Sequence, residues 1–333
     1  MTTIGIPLSL LAIITAAALS FALTWLLMPL LQRYALARPN ARSSHKIPTP
    51  QGAGIAVIVA TLATAVVFAF TIDAKISVYA LAATVFIAVV GAADDIKSLP
   101  VLTRLLAQTI AVGAILSTAS GHLRLFPVCP LWIEQGMLLL AGIWFVNLVN
   151  FMDGLDWMTV AEAVPIAGAI IALGYLGHIP PTTALVAGAL GGALLGFAPF
   201  NRPLAKVFLG DVGSLPIGLL LGWCLLELAY QGHLAAALLL PFYYLADATI
   251  TMLRRLVSGD KIWTAHRCHF YQRAADNGTP VIQIVGWVFA VNVLLAAMAI
   301  VSVAIPSPAV TALAMAGGAT IVAVMLFRFS RAG

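Results

Sequence analysis

Residues 4–31 read IGIPLSLLAIITAAALSFALTWLLMPLL, a run without one Asp, Glu, Lys or Arg. Coiled at 1.5 Å per residue, it more than covers the roughly 30 Å hydrocarbon core of a bilayer. Apolar runs of comparable length recur at 53–72, 76–93, 105–119, 137–151, 160–176, 182–200, 215–230, 234–253, 281–305 and 309–327. The pattern predicts an all-α, polytopic integral membrane protein of about eleven transmembrane helices. Composition agrees, because 62% of the 333 residues are hydrophobic and 9% are charged, against about 25% charged in a soluble domain. The first run lacks a basic stretch before it and a small-residue cleavage site after it, which predicts a retained helix rather than a signal peptide.

Lys and Arg concentrate in cytoplasmic loops. With eleven spans and a periplasmic N-terminus, 15 of the 17 Lys and Arg fall inside, and only Lys75 and Arg124 fall outside. The C-terminus is then cytoplasmic. The net charge of +5 follows from this insertion bias and does not argue for nucleic-acid binding. Cys129, Cys224 and Cys268 fall in three different layers of this topology and suggest neither a disulfide framework nor a thiolate metal site. No linker or internal repeat is visible, so residues 1–333 are read as one transmembrane domain with functional cytoplasmic loops at 33–52, 94–104, 150–160, 199–214 and 254–280.

The carboxylates are placed independently of that rule. Eight of the nine aspartates, all but Asp73, lie at or near predicted cytoplasmic helix ends. Carboxylates gathered near bilayer depth repel one another unless a cation collects them, and magnesium needs only one or two protein carboxylates beside phosphate oxygens.

Four segments carry the chemistry. Asp94-Asp95 ends a helix and is followed by Lys97; a solvated helix stop is the alternative. In Asn147-Leu148-Val149-Asn150-Phe151-Met152-Asp153-Gly154-Leu155-Asp156, the spacing of three makes Asn147, Asn150 and Asp153 one polar ridge if the helix persists; polar packing between helices is the alternative. Phe208-Leu209-Gly210-Asp211-Val212-Gly213-Ser214 leads into an apolar helix, so its amides can meet phosphate oxygens, or Asp211 or Ser214 can simply cap it. His266-Arg267-Cys268-His269 mixes imidazole and guanidinium groups that suit a diphosphate, or forms a charged membrane-surface loop. A basic turn, Ser44-His45-Lys46, lies between the first two helices and could meet a lipid phosphate.

In this order the segments resemble the polyprenyl-phosphate N-acetylhexosamine-1-phosphate transferases of glycosyltransferase family 4. The similarity runs from Ser44 to about Arg273. It implies transfer of a sugar 1-phosphate from a UDP-N-acetylhexosamine to undecaprenyl phosphate with release of UMP, an EC 2.7.8 type reaction dependent on Mg2+, with Mn2+ as a substitute. It further implies a multi-pass protein of the bacterial inner membrane, in contact with the lipid bilayer, with its site facing the cytoplasm; a homodimer is left open. By resemblance, Asp211 and Asn150 are the metal ligands. Asp94 and Asp95 serve the lipid phosphate as base or anchor, and Asp153 and His266 join them as catalytic candidates. Asp156 and Phe208 lie near the uracil, while His266, Arg267 and His269 hold the diphosphate or sugar. His45 or Lys46 approaches the acceptor phosphate, and Lys97 and Asn147 complete the substrate-binding set.

The loop at His266 and the Leu-Ala-Asp247-Ala-Thr helix look more like enzymes that start O-antigen or related cell-envelope polysaccharides, including those of lipopolysaccharide and cell wall biogenesis. Phospho-N-acetylmuramoyl-pentapeptide transferase, the nearer alternative, carries three adjacent histidines there. A secondary transporter is the alternative from another class. Two residues depart from the family pattern: Trp157 stands where a glycine is usual, and Gln51 where an arginine is frequent. Trp157 either narrows the nucleotide-sugar pocket or packs against a neighbour.

Transfer between two anionic phosphates requires positioning and charge stabilisation above all. The acceptor, a phosphate monoester with a second pKa of about 6, arrives largely ionised. Direct attack is the working expectation; a two-step route through an aspartyl-phosphate is the rival.

Overall fold

The computed structural model describes residues 6–37, 48–73, 76–117, 124–260 and 266–331. His45 and Lys46 therefore lie outside the described residues. Each of the eleven apolar runs is helical: α1 (Ile6–Tyr34), α2 (Gly54–Thr71), α3 (Val78–Ile96), α4 (Val101–Leu116), α5 (Leu131–Met152), α6 (Met158–Tyr175), α7 (Pro181–Phe197), α8 (Asp211–Tyr230), the pair α9 (Leu234–Leu239) and α10 (Phe242–Val257), then, past the short α11 (Phe270–Asp276), α12 (Val281–Ala304) and α13 (Pro308–Arg331). The protein is an all-α polytopic membrane protein, in which nine helices among the described residues are long and apolar enough to cross a bilayer.

The two remaining runs depart from a simple span. Helix α4 covers only 16 residues. The run 234–253 is broken at Leu240-Pro241, where proline has no N–H to continue the ladder. A third difference concerns α5, which starts at Leu131 instead of 137 because Glu134 is tolerated: Arg124 Nε lies 2.5 Å from its carboxylate and the Leu125 amide donates at 2.7 Å. The loop after α1 returns as a small antiparallel ribbon, β1 (Leu36–Ala37) on β2 (Thr49–Pro50), with Leu36 opposite Pro50.

Helices α7 and α8 form the enclosed centre. Helix α7 packs on α1, α2 and α6, while α8 packs on α2, α3 and α5; α12 joins α6 to α13. Because lipid is as apolar as the side chains, such packing depends on close backbone approach. Gly54 of α2 lies against Gly213 of α8, and a Cβ on Gly91 of α3 would strike the Asp211 carbonyl. The first turn of α8 is thereby pressed between α2 and α3, at the end of the bundle where the polar segments meet.

Candidate active site

Helix α3 runs on through its acidic pair, so Asp94 and Asp95 occupy its last turn. Asp95 closes over the start of α8: its Oδ1 accepts from the Asp211 amide at 2.9 Å and its Oδ2 from the Val212 amide at 3.0 Å. These are amides that a helix N-terminus leaves unpaired, and a carboxylate there also meets the positive end of the helix dipole. Gln51 Nε2 donates to the same Oδ1 at 2.5 Å. The glutamine that departs from the family pattern thus engages the acidic pair directly. The ribbon reaches the third segment as well, since the Phe208 amide donates to the Pro50 carbonyl at 2.8 Å and the Gly54 amide to the Leu209 carbonyl at 2.8 Å.

Asp94 is held differently. The Leu99 amide donates to Oδ1 at 2.5 Å, and Arg104 pairs with Oδ2 at 3.1 Å. Its carboxyl stands within hydrogen-bonding reach of Asp211. Asn150 Nδ2 donates to Asp211 Oδ1 at 2.7 Å and to Ser214 Oγ at 2.8 Å. Both amide hydrogens being used, the carbonyl oxygen is the Asn150 atom that remains for a cation. Among the described ion pairs, Arg104 alone reaches this group of carboxylates. No three His, Cys, Asp or Glu side chains among the described residues converge as a metal-holding group. Asp211, Asp94 and the Asn150 amide do form a hard oxygen set, which fits a magnesium ion completed by water and phosphate.

Asn147 and Asn150, three apart within α5, take different partners. Asn147 forms a reciprocal amide pair with Gln108 of α4, at 2.6 and 3.2 Å, which is the packing role open to a polar residue between helices. The helix ends at Met152, so Asp153 begins the following loop. Thr159 donates to Asp153 at 2.5 Å. Withdrawal from solvent pushes the Asp153 carboxyl up to about 6, against the Thr159 bond and with help from the charges of Asp95 and Asp156.

Asp156 is buried and accepts from the Ala205 amide at 3.1 Å, which fixes the loop leading to Phe208. Trp157 has φ +64°, the left-handed region that glycine enters freely. That geometry explains the usual glycine. Here the Trp157 amide donates to Asn201 Oδ1 at 2.8 Å and its indole Nε1 to the Ala198 carbonyl at 2.6 Å, so the ring packs against its neighbours. Lys97 is exposed just after α3.

The fourth segment lies over the second. Tyr271 Oη donates to the Phe151 carbonyl at 3.0 Å, and a Cβ on Gly154 would strike the Tyr271 hydroxyl. Arg267 pairs with Asp276 at 2.9 Å. His266 and His269 face each other with ring centroids 5.0 Å apart. His269 is buried, and Asp247 of α10 takes its Nδ1 at 3.1 Å. The partnership of Asp247 was not read from sequence, although Tyr243, Asp247 and Thr251 at intervals of four in an apolar run signal one polar face.

The comparisons with known proteins meet this geometry. The profile of "Glycosyl transferase family 4" matches residues 77–229, from just before α3 to the end of α8. A "Phospho-N-acetylmuramoyl-pentapeptide-transferase" of Symbiobacterium thermophilum is 32% identical over 234 residues, covering 62% of this chain and 69% of that protein. The chain belongs to glycosyl transferase family 4. Other members of the family align over more of it. A "Decaprenyl-phosphate N-acetylglucosaminephosphotransferase" of Mycobacterium leprae is 29% identical over 82% of this chain and 79% of its own length. A "Probable undecaprenyl-phosphate N-acetylglucosaminyl 1-phosphate transferase" of Bacillus subtilis is 22% identical over 85% and 84%. As a family member the chain is a membrane-embedded glycosyl-1-phosphate transferase, and the matched region contains Asp94, Asp95, Asn150, Asp153, Asp156 and Asp211.

Proposed function

We propose that this transferase moves an N-acetylhexosamine 1-phosphate from a UDP-sugar to undecaprenyl phosphate, releasing UMP and starting a cell-envelope polysaccharide of the O-antigen kind. The observation that carries the reading is the meeting of Asp94, Asp211 and Asn150 at one end of the helix bundle, with one arginine among the described ion pairs against several carboxylates. The names of the mycobacterial and Bacillus relatives support both the polyprenyl acceptor and the acetylated amino-sugar donor. The distribution of Lys and Arg supports a site facing the cytoplasm of a bacterial inner membrane, with the donor arriving from water and the acceptor's chain staying in lipid.

Bound magnesium would neutralise donor and acceptor charge and favour departure of UMP. The residues do the rest. A lipid phosphate oxygen forms a bond to the sugar-linked phosphorus while the bond from that phosphorus to the UMP oxygen breaks. Asp94, held by Arg104 and the Leu99 amide, orients the acceptor phosphate or accepts its last proton. Asp95 keeps the start of α8, and with it Asp211, in place. Asp156 and Phe208 shape the uracil end, while Arg267, His266 and His269 face the diphosphate and sugar.

The test is UMP release and appearance of sugar in organic extracts of membranes given magnesium, undecaprenyl phosphate and a panel of UDP-sugars that includes UDP-N-acetylmuramoyl-pentapeptide. Asp211→Asn and EDTA should each lower turnover by at least about 100-fold. Turnover with the pentapeptide donor alone would move the chain to the peptidoglycan reaction. Full activity in EDTA would remove the metal from the mechanism, and parallel double-reciprocal lines would replace direct attack with an aspartyl-phosphate.

A further inference from the structure

Tyr243, Asp247 and Thr251 stack on one face of α10. The Asp247 carboxylate between them is 0% exposed and receives donors from two directions. Tyr243 Oη at 3.2 Å and Thr251 Oγ1 at 3.3 Å come from its own helix. The start of α11 supplies the others: His269 Nδ1 at 3.1 Å, the Phe270 amide at 3.1 Å and the Tyr271 amide at 3.3 Å. A carboxylate taken out of water is retained only when so compensated, and most of the compensation here comes from the segment that carries the histidines.

The arrangement fixes more than a helix start. With a carboxylate oxygen on Nδ1, that nitrogen carries the hydrogen, and Nε2 is the ring atom left with a lone pair for a ligand. His269 Nε2 is buried and has no partner among the described residues. The ring packs against His266, with centroids 5.0 Å apart, and against Tyr271, at 5.7 Å, which helps to set its orientation. A buried polar atom left unmet is the kind that a ligand completes.

We propose that Asp247 is a positioning residue of the transferase: from within the bundle it holds His269 by Nδ1, so that Nε2 is kept as an acceptor for a hydroxyl or amide hydrogen of the donor sugar. The inference rests on the transferase reading above. It assigns to α10 a part in donor binding that a merely structural anchor would not have.

The test is a double-mutant cycle on the full chain in membranes: wild type, Asp247→Asn, His269→Gln and the double variant, with donor and acceptor varied separately. Tyr243→Phe and Thr251→Val remove the other side-chain donors to the same carboxylate and leave His269 in place. Asp247→Asn and His269→Gln should each raise the donor KM or lower kcat/KM for the donor by about 10- to 100-fold while the acceptor KM stays within about twofold. The double variant should be no worse than the poorer single one, and the two controls should remain within about threefold of wild type. Multiplying losses in the double variant would overturn the inference, as would a loss that only reduces the amount of active enzyme and leaves both KM values unchanged. If Asp247→Asn is not recovered folded, Asp247→Glu, which keeps the charge but displaces it, is read by the same cycle. An inactive wild type would sink the transferase reading and this inference together; an active wild type with an unaltered Asp247→Asn would sink the inference alone.

Discussion

At Trp157 a bulky residue occupies backbone that glycine would enter without strain, at a cost of roughly 1–3 kcal/mol. The indole bond to Ala198 and the packing of the ring offset it. Trp157→Gly removes the strain together with the ring, whereas Trp157→Ala removes the ring and keeps the strain. Thermal midpoints in detergent should therefore fall in the order wild type, Gly, Ala, with Ala lowest by roughly 1–3 kcal/mol; an alanine variant as stable as the glycine one would contradict the strain argument. Asp153 allows a second prediction at this scale. Its carboxyl, at about 6, lies above the ordinary carboxylate range, so the folded form holds this proton more tightly than the unfolded chain does. That contribution to stability is complete below about pH 4 and is lost as pH rises through about 6. Asp153→Asn should therefore flatten the fall of the thermal midpoint between about pH 4 and 6, and a slope unchanged in the variant would contradict the assignment.

The join between α3 and α8 shows how elements carry the site. Asp95 belongs to the end of one helix and caps the start of the other, with Gln51 from the ribbon on the same oxygen. Asp95→Ala leaves two amides without an acceptor and should lower stability by roughly 1–2 kcal/mol; Asp95→Asn, which keeps a carbonyl oxygen, should fall between. Equal midpoints for all three would show that the join is held by the glycine contacts alone. The helices themselves were legible, because each apolar run is long enough to register in one sequence. The break at Leu240-Pro241 and the extension of α5 through Glu134 were less so, since one depends on a proline inside a run that is otherwise continuous and the other on a partner ten residues away.

Across the whole molecule, the sequence identified the segments that meet but not the atoms by which they meet. Aspartates at helix ends stand out against lipid-soluble surroundings, so Asp94, Asp95, Asp153 and Asp211 could be picked out singly. Pairings between distant residues leave no mark in a single chain: Asn147 with Gln108, Gln51 with Asp95, and His269 with Asp247. In the sequence Asp247 reads as a helix-end aspartate in a segment that marks the branch, and its partners become visible only with the return of α11.

Asp95 and the Val212 amide are separated by 117 positions, and that separation is also an interval of time. At roughly 5–20 residues per second of synthesis, the acidic pair emerges on the order of ten seconds before the helix it must cap. For that interval the nascent chain carries adjacent carboxylates at a membrane boundary with their later partner still unmade. The join therefore cannot form until α8 is inserted, and a polypeptide released before then would have the first acids of a transferase without a place to bind.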